Sequence, residues 1–125
     1  MQNKRPKFLN LLKIRQPLPA IISILHRISG ILLFFPGIPL VLYALHLMLD
    51  SQDSFDRLQL FLVNPIVKVG ILLVVWFFLH HLCAGIRYLA LDMHYGLTLT
   101  QARATSKIVL VAGLILTIMV GFVIW

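Results

Sequence analysis

Three runs of the chain carry no Lys, Arg, Asp or Glu: Ile28 to Leu49, Val69 to Ile86 and Ile108 to Trp125. Each is long enough to cross a hydrocarbon layer of about 30 Å, which takes roughly 20 helical residues at ~1.5 Å apiece. No stretch alternates apolar and polar positions with the two-residue period of a strand, and there is no internal repeat or low-complexity segment. The pattern predicts an all-α membrane protein, a single transmembrane domain over residues 1–125 with three spanning helices. The first is expected from near Pro19 to about Leu49, kinked by Pro36 and Pro39. The second is expected over 65–92, from Pro65 to Asp92, where His94, Tyr95 and Gly96 supply a break. The third is expected from about residue 100 to 125. Residues 1–18 form a basic arm, either a short surface helix or irregular.

Composition agrees with lipid as the solvent, since 60% of the 125 residues are hydrophobic and only 12% charged. The net charge of +7 gathers at the ends of the apolar runs, with Lys4, Arg5, Lys7, Lys13 and Arg15 all before residue 16. A nucleic-acid-binding protein needs a basic stripe on a folded surface, so this distribution argues against a nucleic-acid partner. Basic residues flanking a span are retained on the cytoplasmic side. The arm therefore reads as inward-facing. The first connector, with Asp50, Asp53 and Asp56 around Arg57, reads as outer. The second, with Arg87, Arg103 and Lys107 against Asp92, reads as inner. The amino terminus is thus expected in the cytoplasm and the carboxyl terminus outside.

The first apolar run is too long for a cleaved signal peptide and no small-residue cleavage site follows it. The short amino terminus, without an Arg- and Ser-rich presequence, points to a bacterial inner membrane. Cys83 is the only cysteine, so no intrachain disulfide can form, and it reads as a buried reduced thiol. Gly113, Thr117 and Gly121 recur every four residues, a stripe where another helix can approach closely. So small a chain has little room for an enclosed site of its own, which implies work within a complex.

Two polar clusters beside the apolar runs carry the chemical information, because ionisable groups are costly in the membrane. In SerIleLeuHisArgIleSerGly, residues 23–30, Ser23, His26, Arg27 and Gly30 share one helix face. A guanidinium fork, an imidazole and a hydroxyl suit a quinone head group or a carboxylate, and equally suit anchoring at lipid headgroups. In HisHisLeuCysAlaGlyIleArgTyrLeuAlaLeuAsp, residues 80–92, one face holds His81, Gly85, Tyr88 and Asp92, and another holds His80, Ala84, Arg87 and Leu91. An intramembrane histidine with a glycine one turn on can ligate haem iron beside a flat porphyrin, or simply make an interhelical hydrogen bond.

With the ArgPro near the start, the residue 23–30 motif, HisxxxGlyIleArg followed by Asp92, and a third helix at the end, the chain resembles the succinate dehydrogenase cytochrome b family, the large membrane anchor of respiratory complex II. The resemblance covers essentially the whole length. It implies a membrane anchor that, with a second small anchor subunit, holds an iron-sulfur subunit and a flavoprotein subunit, and helps bind haem b and ubiquinone. Ser23 and Arg27 would then line the quinone pocket, and His26 and Arg27 would lie near the haem propionates. His81 would be one axial ligand of the haem iron, with the second ligand supplied by the other anchor.

Depth supports the last point. His46 lies ~37 Å along its helix from Ile21, and His81 lies ~15 Å along its own from Leu91, too far apart in depth to share one iron. His26 is closer in depth, but it belongs to the Arg27 cluster, where a donor to a propionate is the more economical role. His80 stands as an additional candidate ligand, and His46 and His94 read as interfacial. Relatives commonly have His where this chain has Tyr88.

Succinate oxidation is expected on another subunit, since the chain has neither a flavin-binding glycine fingerprint nor an iron-sulfur cysteine set. Two other readings compete. One is a haem-free structural anchor. The other is a small multidrug-type transporter, which would want an intramembrane carboxylate, whereas Asp92 stands only at a helix end.

Overall fold

The computed structural model describes residues 14–125, so Lys4, Arg5, Lys7 and Lys13 lie outside the described residues. Every element is helical: α1 (Leu18–Leu32), a π-helical stretch (Leu33–Gly37), α2 (Ile38–Asp50), α3 (Gln52–Val63), α4 (Pro65–Asp92) and α5 (Leu99–Ile124). Three stretches are long and apolar enough to cross a membrane: Leu18–Asp50, Pro65–Asp92 and Leu99–Ile124. The expected all-α fold with three spans is what the structure has.

Local chemistry sets the ends. Pro17 is the extended residue before α1, and Pro65 opens α4 behind an Asn64 cap whose Oδ1 accepts the Ile66 N–H at 2.9 Å. Thr98 caps α5 by accepting the Gln101 N–H. The turn between α4 and α5 passes through two left-handed residues, His94 and Gly96 (φ 65° and 79°). Pro36 has no N–H to give and would crowd the carbonyl four residues back. The first span answers with the π-helical stretch, where the Ile38 N–H bonds Leu33 C=O, five residues earlier.

The connector after span one is not a plain loop but α3, a helix whose first half is mostly polar and whose second half is mostly apolar. Ser51 caps it by accepting the Ser54 N–H at 3.2 Å. Pairs four residues apart, Gln52 with Asp56 and Arg57 with Asp53, brace its exposed side.

α4 is the central helix, packed on α1 along one side and on α5 along another. Its register with α5 is antiparallel: Arg87 meets Thr105, His80 meets Gly113, Leu72 meets Gly121 and Lys68 lies over the Trp125 ring. The small residues of α5 make this approach possible, since a Cβ on Gly113 would stand 3.5 Å from the His80 Cα and one on Gly121 3.5 Å from a Leu72 methyl. Thr117 turns its hydroxyl back to Gly113 C=O at 2.7 Å.

Burial runs opposite to that of a water-soluble domain. Among the described residues only Ile22, Ala84 and Val109 are buried apolar residues, while Ser29, Ser54, His80, Arg87 and Ser106 are buried polar ones. That is the economy of a bundle whose outer solvent is lipid, where leucine gains little by hiding and a polar group gains much. α2 has no buried residue and packs only on α3 and the π-helical stretch, so the distal half of span one stands away from α4 and α5.

Candidate functional site

The two polar clusters of the sequence meet where α1 crosses α4. The His26 and His81 rings stack with centroids 4.1 Å apart and planes 11° from parallel, and the Tyr88 ring lies 5.1 Å from His26. Nδ1 of His81 stands 3.1 Å from His26 C=O and 3.1 Å from the Ser29 hydroxyl, which donates to the same carbonyl at 2.9 Å. A carbonyl only accepts, so the contact to His26 C=O requires the proton of His81 on Nδ1. Nε2 then carries the lone pair. Stacking covers the face of the ring and leaves its edge, where that lone pair lies.

Glycines make the crossing close. A Cβ on Gly30 would be 3.0 Å from Cε1 of His81, tighter than the neighbour allows without moving, and one on Gly85 would be 3.8 Å from Nε2 of His26. Gly30 therefore fixes where the His81 ring can sit.

The faces of α4 that spacing separates do turn to different helices. His81 looks toward α1. His80, 1% exposed, is sealed between α4 and α5 with Trp76 stacked 5.5 Å away, and neither of its ring nitrogens has a hydrogen-bond partner among the described residues. The Tyr88 hydroxyl is likewise buried without a partner among them. Arg87 also faces α5, donating from Nε to the Thr105 hydroxyl at 3.0 Å.

The α1 cluster is less unified than its spacing implies. Ser23 is half-buried and Arg27 exposed, and among the described residues neither side chain makes a hydrogen bond to the rest of the chain. Arg27 is thus directed away from His81, while His26 and Gly30 lie against it. The serine that touches His81 is Ser29, which sequence reasoning placed in the motif without assigning it a role. Its signal was position: three residues beyond His26, it can return a bond to the His26 carbonyl, and only the packing of α4 adds the imidazole. Among the described residues there is no group of three or more His, Cys, Asp or Glu that could hold a metal ion. One edge-open imidazole fits a metal whose other positions come from a macrocycle and a second chain.

A sequence profile of the family described as succinate dehydrogenase/fumarate reductase transmembrane subunit matches residues 1–120. The chain belongs to this family. It is similar to the succinate dehydrogenase cytochrome b556 subunit of Coxiella burnetii, 40% identical over 126 residues covering 100% of both chains. The subunits of the same name from Rickettsia felis and Paracoccus denitrificans are 33% and 31% identical, each over 94% of this chain and 90% of theirs. The crossing of α1 and α4 gathers His26, Gly30, His81 and Gly85, while Arg27 and Ser23 lie to one side.

Proposed function

We propose that the chain is the cytochrome b membrane-anchor subunit of a succinate:quinone oxidoreductase, which helps bind haem b and ubiquinone and passes electrons from an iron-sulfur subunit to quinone. The observation that carries this reading is the fixed imidazole of His81. A metal-ligating histidine characteristically donates its second ring N–H to a carbonyl, which sets the tautomer, aims the ring and raises ligand basicity. His26 C=O is the acceptor for His81 Nδ1 at 3.1 Å.

Haem b, when bound, would supply a one-electron carrier inside the membrane. His81 Nε2 would ligate the iron, His26 and Arg27 would face the propionates, and Gly30 and Gly85 would keep α1 and α4 at their close spacing. Ser23 and Arg27 would bond a quinone carbonyl, an assignment favoured by their accessibility on α1. His80 is a poorer ligand than His81, since its ring is closed between α4 and α5. A second anchor subunit would complete the haem site, and the exposed apolar surface of α2 gives a helix of that subunit a place to pack.

The charge pattern favours an amino terminus and an α4–α5 turn in the cytoplasm, with α3 outside, in a bacterial inner membrane. The iron-sulfur and flavoprotein subunits bind on the cytoplasmic side. The reading is tested by purifying the tagged chain with its native partners and recording subunit masses and a reduced-minus-oxidised spectrum on the same sample. Co-purification of flavoprotein, iron-sulfur protein and a second anchor with a b-type band is expected. A complete complex without such a band would favour the haem-free anchor.

A further inference from the structure

Between α4 and α5 runs a groove of about 290 Å³ whose walls include Cys83, Ala90, Ile108 and Ala112, with Tyr95 at its mouth and Arg87 as its one charged group. Arg87 is only 8% exposed. Of its five N–H donors, Nε reaches the Thr105 hydroxyl at 3.0 Å and Nη2 reaches Ala102 C=O at 3.4 Å. That carbonyl is already shared, since it also accepts the hydroxyls of Ser106 at 2.7 Å and Thr105 at 3.3 Å.

No carboxylate side chain pairs with this guanidinium. The only acidic side chains are Asp50, Asp53, Asp56 and Asp92, and the one ion pair among the described residues joins Asp53 to Arg57. The carboxyl-terminal residue lies at the far end of α5, beside Lys68. The Tyr88 ring, 5.3 Å from the guanidinium, offers a cation–π contact but no charge. A buried cation with one short hydrogen bond and no anion is unfavourable in a membrane unless a counter-charge is brought to it.

Depth and shape indicate what brings it. Arg87 is five residues from the end of α4, or roughly 7.5 Å along the axis, where headgroups meet hydrocarbon. The groove extends from that level toward Cys83 and Ala112, into the apolar layer. Tyr95, 67% exposed, sits at the interfacial end, as aromatic residues with one polar tip commonly do.

We propose that the α4–α5 groove is a binding site for an anionic phospholipid, whose acyl chain lies along Cys83, Ile108 and Ala112 and whose phosphate pairs with Arg87. The guanidinium fork matches phosphate oxygens, and basic pockets between spanning helices are suited to lipid headgroups. The groove opens on the α5 side of α4 while His81 faces α1, and the Tyr88 ring stands between the two, 5.3 Å from the Arg87 guanidinium and 5.1 Å from the His26 ring.

The test uses the intact complex with its native partner subunits, delipidated in detergent. Phosphatidylglycerol or phosphatidylcholine of identical chains is titrated in, and bound lipid is counted by native mass spectrometry. Wild type is expected to prefer phosphatidylglycerol by about tenfold or more, the scale of one hydrogen bond to a charged group. Arg87→Gln should bring the preference close to unity and Arg87→Lys should keep part of it. Ala112→Leu, which narrows the groove with Arg87 in place, should weaken binding of both lipids. Should Arg87→Gln fail to assemble, the Arg87→Lys and Ala112→Leu complexes decide the matter. Equal binding of both lipids by wild type, an undiminished preference in Arg87→Lys, undiminished binding of both lipids in Ala112→Leu, or a partner helix cross-linked into the groove through Cys83 would each overturn the proposal.

Discussion

The His26 and His81 rings stack 4.1 Å apart, and the backbone carbonyl of His26 also accepts the Nδ1 proton of His81. One residue of α1 therefore both covers a face of the α4 imidazole and fixes its tautomer. The Ser29 hydroxyl, within 3.1 Å of the same nitrogen, completes the clamp. The consequences can be tested one contact at a time.

Gly30→Ala places a methyl 3.0 Å from Cε1 of His81, so the ring must shift by a few tenths of an ångström. The expected result is an altered haem absorption band and weaker haem retention in an assembled complex. Gly70→Ala is the control, because a Cβ there meets nothing within 4 Å, and the gain in helix propensity is at most about 1 kcal/mol. Spectra and haem content of the two purified variants check this, and equal behaviour would remove Gly30 from the site.

Ser29→Ala deletes one buried hydroxyl and leaves the His26 carbonyl as the one remaining hydrogen-bond partner of His81 Nδ1 among the described residues. Loss of such a hydrogen bond costs about 0.5–1.5 kcal/mol, and outer contacts of metal ligands commonly change affinity by about 10–100-fold. Haem affinity should fall within that range and the midpoint potential should move, while the set of co-purifying subunits is unchanged. Haem retention and redox titration of the variant complex measure the two effects.

The three spans are legible in the sequence because charge is absent from them over lengths that only lipid or a large core explains, and the π-helical stretch around Pro36 follows from its missing N–H. α3 was harder to foresee. Its polar residues suit a loop, and its helix depends on the Ser51 cap and the Asp53–Arg57 and Gln52–Asp56 pairs, features the sequence contains but charge counting passes over. Spacing separates the two faces of α4 but does not say which neighbour each meets, since that is decided by which partner helix offers glycine. On α1, the residues 23, 26, 27 and 30 fit one arc, yet His26 and Arg27 sit about 100° apart on a helix of 3.6 residues per turn. One can pack against α4 while the other points outward, and periodicity does not choose between them.

Ser23→Ala and Arg27→Leu should each slow succinate-dependent quinone reduction while leaving succinate oxidation by an artificial acceptor nearly intact. Arg27 should matter more, because a bond from a charged group contributes about 1.5–3 kcal/mol against about 0.5–1.5 for a neutral one. Steady-state assays with both acceptors on fully assembled variants check this. Wild-type quinone kinetics in both would move the pocket elsewhere.

Orientation has an independent test. In a Cys83→Ala background, Asp53→Cys on α3 should react with an impermeant maleimide from the outer side only. Reaction confined to the cytoplasmic side would reverse the assignment of both termini.

The role of His81 is tested most directly by replacing His81 and His80 separately with alanine, isolating each complex, and measuring haem per complex with reduced-minus-oxidised spectra. His81→Ala should lose the bis-histidine signature, since it removes the imidazole held at Nδ1 by His26 C=O. His80→Ala should keep that signature, whatever stability it loses from the vacated space between α4 and α5. An intact signature in the His81 variant, with its loss in the His80 variant, would contradict the assignment.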